Sequence, residues 1–429
     1  MEIKLPKYVE LLINMLNENG YAAYAVGGAI RDSILGIEPK DWDIATSALP
    51  TEIKKLFEDN SFYESDMDIY FKVIPTGEKY GTMTIEVIEK YKLNEYEHLA
   101  GIYEITTFRY DSNYTDGRRP DNVTFGKSII DDLSRRDFTM NAIAYNPLVG
   151  IVDPHNGVED IKNKVVKAVG DPQVRIKEDA LRILRGIRFA CKYNFELENA
   201  TGNVIASTGS LLKNVSKERI TEEVKKILTY SKGNSKTLNS AIETLAEIFE
   251  IPQNKISKWG DNKIVEDIDT DDPIMLKLYY ILNRYKSMVD AEIWMRLYKY
   301  SNDQIKEVIS YYKMSRIIEE SMKLNFIVVV KHLFRDFNYE YVCRYLNKYS
   351  EIADIDFAKI SEEPCRLKQL HISGRDIEQI FHIEGRLIGE ILDYLLEEVI
   401  KDKEKNNYSI LLDLTKIYLD SRGVLDGNN

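Results

Sequence analysis

The chain has 429 residues, of which 44% are hydrophobic and 30% charged, with 22 Gly and 11 Pro. This length and composition predict a folded, mostly helical protein of about two to four domains and exclude a disordered chain. Cys191, Cys343 and Cys365 are widely separated, which argues against a disulfide framework or a zinc site and favours a reducing compartment. The N-terminal residues lack the order of a signal peptide and no apolar segment is long enough to span a bilayer, so we expect a soluble, cytoplasmic protein without membrane contact.

The net charge of −12 at pH 7 bears on possible partners. Nucleic-acid binding requires Lys and Arg against phosphates, but the distribution of charge matters more than its sum. Between Arg175 and Tyr230, 11 basic residues stand against 7 acidic ones, whereas acidic residues cluster within Trp259–Asp272. The charge therefore neither requires nor excludes an RNA partner.

The secondary-structure pattern changes along the chain. Up to about residue 145, short β-like runs alternate with helical ones, and after Pro154 long helical stretches dominate. The predicted strands are Tyr21–Val26, Asp41–Ala45, Phe71–Ile74, Thr82–Val87 and Ile102–Thr107. The predicted helices are Gly28–Leu35, Thr51–Asp59, Asp179–Tyr193, Ser216–Tyr230, Lys236–Phe249 and Ile274–Lys286. The sequence thus predicts a mixed head followed by a helical body.

The first candidate site lies at Asp41 and Asp43, on either side of Trp42. Residues two apart in a strand point to the same face, so both carboxylates would share one face while Trp42 points into the layer beneath. Carboxylates completed by phosphate and water oxygens suit Mg²⁺. The preceding Ala25–Gly28 ends a strand and opens a helix, where free N–H groups can hold a phosphate. Each element alone is often only a turn or a surface pair, but together they predict a nucleoside triphosphate site with pyrophosphate as the leaving group.

Glu104 is a candidate third carboxylate. It stands in an otherwise apolar and β-branched predicted strand, and a buried acid is costly unless it is paired or metal-bound. Glu104 would bind metal or accept the proton of an attacking hydroxyl. The alternatives are an ion pair with Arg109 or a place on an edge strand, and Glu86 competes for the same role.

Two further segments carry residues suited to nucleotide binding. Arg135–Ala142 predicts the start of a helix, where an Arg would bind phosphate or ribose oxygens and an Asp would accept from ribose hydroxyls, unless both belong to a surface ion-pair cluster. In Glu178–Phe189, polar residues recur at three-residue steps, so Asp179 and Arg182 would share a helix face. An acceptor beside a donor is what reading a base edge requires, although a solvated amphipathic helix has the same pattern.

Three accessory segments surround these candidates. Asp111–Pro120 is polar and turn-rich and predicts a loop near the site. Asp153–Asp160 predicts a turn that acts as a hinge and braces the next helix. Ser216–Lys226 predicts a capped helix start with a structural role.

In this order, the segments resemble the class II tRNA nucleotidyltransferases, the bacterial CCA-adding family related to poly(A) polymerases. GGAIRD with DWDIAT looks like the metal motif, RRDFTMNA the ribose motif, DPHNGVED the hinge motif, EDALRILRGIRF the base-reading motif and SKERITEEVKKIL the last motif. The match covers Tyr21 to Leu228, and His371–Leu392 is a looser match to the family's tail. Tyr80 stands where many relatives have histidine.

The resemblance implies an α+β fold class, with a β-polymerase-like nucleotidyltransferase head followed by an all-helical neck, body and tail. The implied domains are residues 1–148 for the head, 149–230 for the base-reading neck, 231–345 for the body and 346–429 for a tRNA-binding tail.

The resemblance also implies roles for single residues. Asp41 and Asp43 would hold two Mg²⁺ ions, one activating the tRNA 3′-hydroxyl and the other holding the triphosphate. The implied nucleotide contacts are Gly28 and Arg31 to the triphosphate, Arg136 and Asp137 to the ribose-phosphate part, Asp179 and Arg182 to the base edge, and Arg185 and Arg188 around the pocket.

The implied activity is template-independent addition of C, C and A to the tRNA 3′ end from CTP and ATP, with the acceptor stem and T arm on the body and tail. The complete Asp111–Pro120 segment argues against a CC-adding enzyme, and the lack of an Arg/Lys-rich segment in Ser61–Thr84 argues against a poly(A) polymerase. An A-adding enzyme stays open. The intact aspartate pair disfavours a silent tRNA-binding protein, and the long helical body disfavours a small-molecule nucleotidyltransferase. Monomer and dimer are both compatible with the sequence.

Overall fold

A computed structural model describes residues 2–63, 66–93, 96–112, 122–230, 248–249, 272–321, 325–347 and 356–424. The chain divides into two compact units, Met1–Thr270 and Asp271–Asn429. The strands of the described residues are β1 Ala23–Val26, β2 Asp43–Thr46, β3 Ser61–Tyr63, β4 Met67–Gly77, β5 Thr82–Tyr91, β6 Glu97–Thr107, β7 Arg109–Ser112, β8 Asn122–Phe125, β9 Ala144–Asn146, β10 Gly150–Val152, β11 Val165–Val166 and β12 Glu196–Leu197.

The helices of the first unit, again within the described residues, are α1 Lys7–Glu18, α2 Gly28–Ile34, α3 Pro50–Glu58, α4 Ile129–Ser134, α5 Gly157–Lys162, α6 Pro172–Glu178, α7 Leu181–Tyr193, α8 Asn199–Ser207 and α9 Lys217–Tyr230. Those of the second unit are α10 Ile274–Tyr285, α11 Met288–Leu297, α12 Asn302–Glu320, α13 Phe326–Asp336, α14 Tyr339–Leu346, α15 Phe357–Glu362, α16 Gly374–Phe381, α17 Arg386–Lys401 and α18 Tyr408–Ser421.

A mixed sheet forms the centre of the first unit. In the described residues it has eight strands in the order β10-β9-β1-β2-β6-β5-β4-β3. The β2–β6 pair is parallel and its neighbours are antiparallel. A parallel pair cannot be joined by a tight turn, and here α3 and the β3–β5 strands make the connection. This topology sets the start of β2 beside β6.

The core of the first unit lies between the sheet and its helices. α1 is amphipathic, with buried residues recurring every three or four positions. The core cluster joins its apolar face to α3 and the central strands through Leu12, Leu16, Ile53, Phe57, Ile44, Met83 and Ile105. Trp42 is partly buried and packs against this cluster, as the alternation around the aspartate pair predicts.

α7 packs closely within the first unit. Its apolar side is buried through Leu184, Ile187 and Phe189, and the helix lies against α9. A Cβ added at Gly186 would lie 2.9 Å from Cδ1 of Ile205, so glycine permits the close approach. The opposite side of α7 carries the arginines of the predicted base-reading motif.

The second unit is helical over its described residues. One cluster, including Ile377, Ile391, Leu395 and Leu411, packs α16, α17 and α18 together. None of the described helices is both long and apolar enough to cross a membrane. Cys191, Cys343 and Cys365, all in described residues, are free thiols.

Three local predictions are wrong. The strand predicted to begin at Asp41 begins at Asp43, because pairing with Val26 of β1 starts there. The helix predicted to begin at Arg135 does not form: α4 ends at Ser134, Arg135 is its C-cap, and Phe138 is extended and bridges to Ala168 before a 3₁₀ turn.

The third error concerns Asp179, predicted to be helical. It has extended geometry, with φ −145° and ψ 104°, between α6 and α7. Its carboxylate accepts from the N–H of Leu181, which is the local bonding by which Asp competes with helix formation. The predicted helix Lys236–Phe249 lies outside the described residues except for its last two positions. The first two residues of the predicted loop Asp111–Pro120 belong to β7, and the rest of that loop lies outside the described residues.

Candidate active site

Three carboxylates meet where β2 begins. The parallel register sets Asp43 directly opposite Glu104 of β6, and Asp41 lies two residues before it, outside the strand. All three residues are exposed. Partial desolvation raises the pKa of Asp43, and the charges of Glu104 and Asp41 raise it further, while Arg136 opposes them. The three acids therefore form one electrostatically coupled group.

Glu104 lies beside Asp43, which supports its role as the third carboxylate, but the prediction that it is buried is wrong. We expected a buried acid, but Glu104 shares the open face of β6 with Ile102, which is 58% exposed, while Ile105 is buried on the other face. Glu86, the competing acid, lies opposite Ile102 in the register and forms an ion pair with Lys72 at 3.3 Å. Glu104 is the acid that adjoins Asp43.

The chemistry of this donor set fits a hard divalent cation. The carboxylates supply oxygen ligands only, which suits Mg²⁺. No group of three or more His, Cys, Asp or Glu side chains among the described residues is arranged to hold a metal by itself. Mg²⁺ usually binds through one or two carboxylates plus substrate phosphates. The coupled carboxylates fit a cation that arrives with a triphosphate.

A cavity of about 420 Å³ extends from Asp43. Five arginines and three aspartates line it, so its walls carry an excess of positive charge suited to a polyanion. The lining residues are Gly27, Gly28, Asp43, Arg135, Arg136, Asp137, Asn141, Asp179, Leu181, Arg182, Arg185 and Arg219. The cavity brings together predicted site residues from four separate segments, whereas Asp41, Glu104, Arg31 and Arg188 are not in its lining.

The glycine pair at the start of α2 forms one wall of the cavity. Gly27 has a φ of +72°, and a Cβ there would lie 2.7 Å from Nη1 of Arg136. The positive φ therefore favours glycine, and a side chain there would also have to displace the guanidinium of Arg136. Arg136 is held from behind, because Asp132 accepts from its Nη2 at 3.2 Å and from Arg135 at 2.7 Å. The guanidinium groups are fixed beside Gly28 and Asp43 without filling the cavity.

Asp179 and Arg182 face the cavity but are held by different neighbours. Asp179 accepts from the N–H of Leu181 at 3.0 Å and from Nη2 of Arg219 at 2.8 Å. Arg182 donates to Glu178 at 2.7 Å and to backbone carbonyls. A carboxylate has about four acceptor positions, so Asp179 can still accept from a ligand. The pair is oriented before any nucleotide binds.

Asp137 and Arg185 form an ion pair in the cavity wall, in which one carboxylate oxygen accepts from two guanidinium nitrogens. Oδ2 of Asp137 accepts from Nε of Arg185 at 2.8 Å and from Nη2 at 2.5 Å. Oδ1 accepts from Asn141 and from the N–H of Phe138. Burial alone would raise the pKa of Asp137, but Arg185 and Asn141 hold it below its usual range. Most of its acceptor positions are already used, and its contact with a ribose stays a prediction.

Arg31 and Arg188 lie behind the cavity wall. Arg31 is 6% exposed, pairs with Asp32 at 2.8 Å and stacks over the ring of Tyr193 at 4.7 Å. Arg188 pairs with Glu223 at 2.6 Å. Both guanidinium groups have internal partners in this structure, so their contact with a nucleotide stays a prediction.

Sequence reasoning missed three lining residues with polar side chains. Arg135 and Asn141 belong to the ribose motif, but only its second Arg and its Asp were selected. Arg219 was given a structural role in the last motif, whereas it contacts Asp179 directly. The resemblance carried a signal for all three, because each stands inside a matching motif. The residue patterns alone did not separate Arg219 from other exposed helix arginines.

The comparisons with known proteins agree with this geometry. Residues 23–167 match the family model described as Poly A polymerase head domain, and residues 194–244 match that described as probable RNA and SrmB-binding site of polymerase A. The chain is 32% identical to the CCA-adding enzyme of Ligilactobacillus salivarius over 433 residues, which cover 96% of each chain. The chain belongs to the CCA-adding enzyme family. The Enterococcus faecalis CCA-adding enzyme is 31% identical, over 94% of each chain.

Solved CCA-adding enzymes share the fold. The Bacillus stearothermophilus CCA-adding enzyme in complex with CTP matches with a TM-score of 0.69 and 25% identity, covering 98% of this chain and 99% of the other. The Thermotoga maritima CCA-adding enzyme complexed with tRNA-CCA matches with a TM-score of 0.65 and 20% identity, covering 97% and 100%. The predicted fold class, a nucleotidyltransferase head with a mostly helical remainder, is confirmed, and so is the predicted family. Residues 149–230, predicted to be all-helical, also contain the short strands β10, β11 and β12.

Proposed function

We propose that this protein is a CCA tRNA nucleotidyltransferase, which adds C, C and A to the 3′ end of tRNA from CTP and ATP and releases pyrophosphate. The observation that carries this proposal is one cavity lined both by the acidic residue Asp43 and by an acceptor and a donor, Asp179 and Arg182, which could hydrogen-bond to a base. Family membership supports the substrates, since solved relatives are described in complex with CTP, ATP and tRNA.

In this proposal, Asp179 and Arg182 select the base. Cytosine and adenine both present an exocyclic amino donor beside an unprotonated ring nitrogen. The amino group would donate to the carboxylate of Asp179, and the ring nitrogen would accept from the guanidinium of Arg182. Guanine and uracil present a carbonyl oxygen beside a ring N–H, so both contacts would be lost and two polar groups left unpaired. Such mismatches give strong discrimination. One cavity therefore accepts the two nucleotides that the product needs.

Phosphate binding falls to the other end of the cavity. Gly28 and Arg136 would hold the triphosphate near Asp43, with Arg135 beside them, because guanidinium groups bind phosphate oxygens bidentately. Arg31 would act from behind this wall, and Asp137, Arg185 and Arg188 would shape the ribose and base region. These roles are proposals for the residues where they lie in the structure.

The chemical step we propose is an in-line displacement at the α-phosphorus. The tRNA 3′-hydroxyl oxygen forms the new P–O bond, the bond to pyrophosphate breaks, and Glu104 accepts the hydroxyl proton. Asp41 and Asp43 would hold Mg²⁺, which when bound would lower the pKa of the hydroxyl and neutralise charge on the phosphates. The carboxylates hold the reacting end of the tRNA and the nucleotide at one place.

We also propose the division into head (1–148), neck (149–230), body (231–345) and tail (346–429), with the tRNA acceptor stem and T arm bound by the last two parts. The cytoplasm is the proposed location, because tRNA and nucleoside triphosphates are used there. The oligomeric state is left open, as monomer or dimer.

The test is incorporation with Mg²⁺ on three tRNA transcripts, ending at the discriminator base, at C and at CC, with CTP and ATP supplied singly and together. We expect all three to be extended to CCA and no further. Asp41→Ala should abolish incorporation while leaving tRNA affinity nearly unchanged. Activity on the CC-ended transcript alone would indicate an A-adding enzyme, open-ended A tails a poly(A) polymerase, and no incorporation a non-catalytic protein. Each of these three results would contradict the proposal.

A further inference from the structure

A continuous chain of polar contacts runs from Arg31 into the wall of the cavity of the first unit, through Asn141, Asp137 and Arg185. Asn141 is at its centre: Oδ1 accepts from Nη1 of Arg31 at 2.5 Å, and Nδ2 donates to Oδ1 of Asp137 at 3.0 Å. Asp137 in turn holds Arg185 through both oxygen-to-guanidinium contacts. Asn141 is 6% exposed, so water does not readily substitute for its partners. The chain joins the segment that opens α2 to the wall that carries the base-reading residues.

The partners of Asn141 fix the orientation of its amide. Arg31 has donors only, so the amide oxygen must face it, and ionised Asp137 has acceptors only, so the amide nitrogen must face that side. A single side chain thus supplies one acceptor and one donor to two opposite charges. Hydrogen bonds to charged groups are stronger than neutral ones. A residue that only donates or only accepts could therefore satisfy one of these two partners but not both.

Helix α7 contacts residues of α2 at a second point. Arg185, Phe189 and Tyr193 follow one another at four-residue steps along α7 and lie on one side of it. Tyr193 donates to Asp32 at 2.8 Å, and Arg31 stacks over the rings of Tyr193 and Phe189. Arg31 therefore contacts α7 at one end of this stripe and reaches its other end through Asn141. Loss of the amide would open this loop of contacts at its middle.

We propose that Asn141 is a positioning residue, which keeps the base-reading wall of α7 at a fixed distance from the phosphate-binding start of α2. It acts through Arg31 and the Asp137–Arg185 pair, and it need not touch the substrate. This inference rests on the proposed nucleotidyl transfer. It predicts that a change at Asn141 alters the use of both nucleotides, because the spacing between the two ends of the cavity concerns CTP and ATP alike.

The isosteric variant Asn141→Asp gives the sharpest test. It keeps the acceptor for Arg31 but sets a second carboxylate against Asp137, which is repulsive unless a proton is shared between them. A protonated carboxyl restores one donor and one acceptor. We expect kcat/KM for CTP and for ATP to fall at least 10-fold at pH 8, and the ratio of variant to wild type to rise as the pH is lowered to 6. Asn141→Ser, which introduces no charge, should lose activity without this pH dependence.

Asn146, at the end of β9 in the same unit, offers a matched control. It is 3% exposed, donates to the carbonyl of Ala23 at 2.7 Å and accepts from the N–H of Leu148 at 2.7 Å, so it bonds backbone only. Asn146→Asp should lower the melting temperature but leave kcat/KM of the folded enzyme within twofold of wild type at each pH. CTP binding by calorimetry provides a readout separate from turnover, and Asn141→Asp should weaken it.

Two results would overturn the inference while the proposed function stands. The first is wild-type kcat/KM and CTP affinity in both Asn141 variants. The second is a pH-independent loss of kcat/KM in Asn146→Asp that is as large as the loss in Asn141→Asp. A wild-type protein that neither incorporates nor binds CTP would overturn the proposed function and this inference with it. Should Asn141→Asp fail to fold, Asn141→Ser decides, and kcat/KM within twofold of wild type in that variant contradicts the positioning role.

Discussion

At the scale of single residues, the carboxylate of Asp43 lowers the stability of the folded protein when it is ionised. Desolvation and the charges of Glu104 and Asp41 raise its pKa. A carboxyl with a raised pKa favours the folded state only while protonated, and its ionised form destabilises the fold once the pH exceeds that pKa. A divalent cation would relieve the repulsion that the neighbouring charges exert on Asp43.

From this we expect Asp43→Asn to abolish nucleotide incorporation and yet to stabilise the protein at pH 7 by about 0.5 kcal/mol, a small figure because exposed charges are screened. Mg²⁺ should raise the melting temperature of the wild type more than that of the variant. The exposed Asp413→Asn, whose carboxylate is 3.7 Å from Lys416 in the second unit, is the control and should change neither property. A destabilised Asp43→Asn with an unchanged response to Mg²⁺ would contradict the coupled-carboxylate account. Thermal melts with and without Mg²⁺ decide it.

At the level of elements, α7 is held by a buried ion pair as well as by its apolar side. Nε of Arg188 lies 2.6 Å from Oε2 of Glu223 on α9, with side chains only 12% and 6% exposed. Removing one partner of such a pair leaves a buried charge, which is strongly destabilising. Lys226, at 3.5 Å from Glu223, offsets part of the loss.

Arg188→Met should therefore lower the free energy of unfolding in urea by about 3 kcal/mol, at the low end for broken buried pairs. The double variant with Glu223→Gln should recover part of it, since no charge is then buried alone. Arg296→Met, which breaks the exposed pair with Glu292, should cost under about 0.5 kcal/mol. If Arg188 instead serves chiefly as a nucleotide contact, its loss would raise KM without changing stability, and the double variant would rescue nothing.

The elements also show what sequence patterns can and cannot give. Alternation and motif spacing predicted β1, β2 and β6 to within a few residues and predicted Asp41 and Asp43 beside a phosphate-holding turn. They did not give the parallel register that sets Asp43 opposite Glu104, because that depends on pairing between distant strands. The short strands β9 and β10 were missed, since three residues carry too little alternation to be recognised.

Long-range contacts explain the remaining differences. Tyr193 bonds Asp32 across 161 residues, and Arg185 bonds Asp137 across 48. No local pattern indicates such partners, so arginines predicted to face a nucleotide were found paired internally. Arg219 was missed for the same reason, because its partner Asp179 is 40 residues away.

For the whole molecule, the first unit contains the cavity and every candidate site residue, while the second unit is helical over its described part. The relatives match both units, since the alignment with the Ligilactobacillus salivarius enzyme spans 96% of the chain. We therefore propose that the first unit alone selects the nucleotide. A single cavity would read both CTP and ATP through Asp179 and Arg182.

The most direct test is incorporation of each of the four nucleoside triphosphates by wild type and Asp179→Ala, on transcripts ending at the discriminator base and at CC. The account predicts that the wild type uses CTP on the first transcript and ATP on the second, and that the variant loses this discrimination and incorporates UTP or GTP with both. Unchanged preference for CTP and ATP in a folded Asp179→Ala variant would contradict the claim that this cavity reads the base.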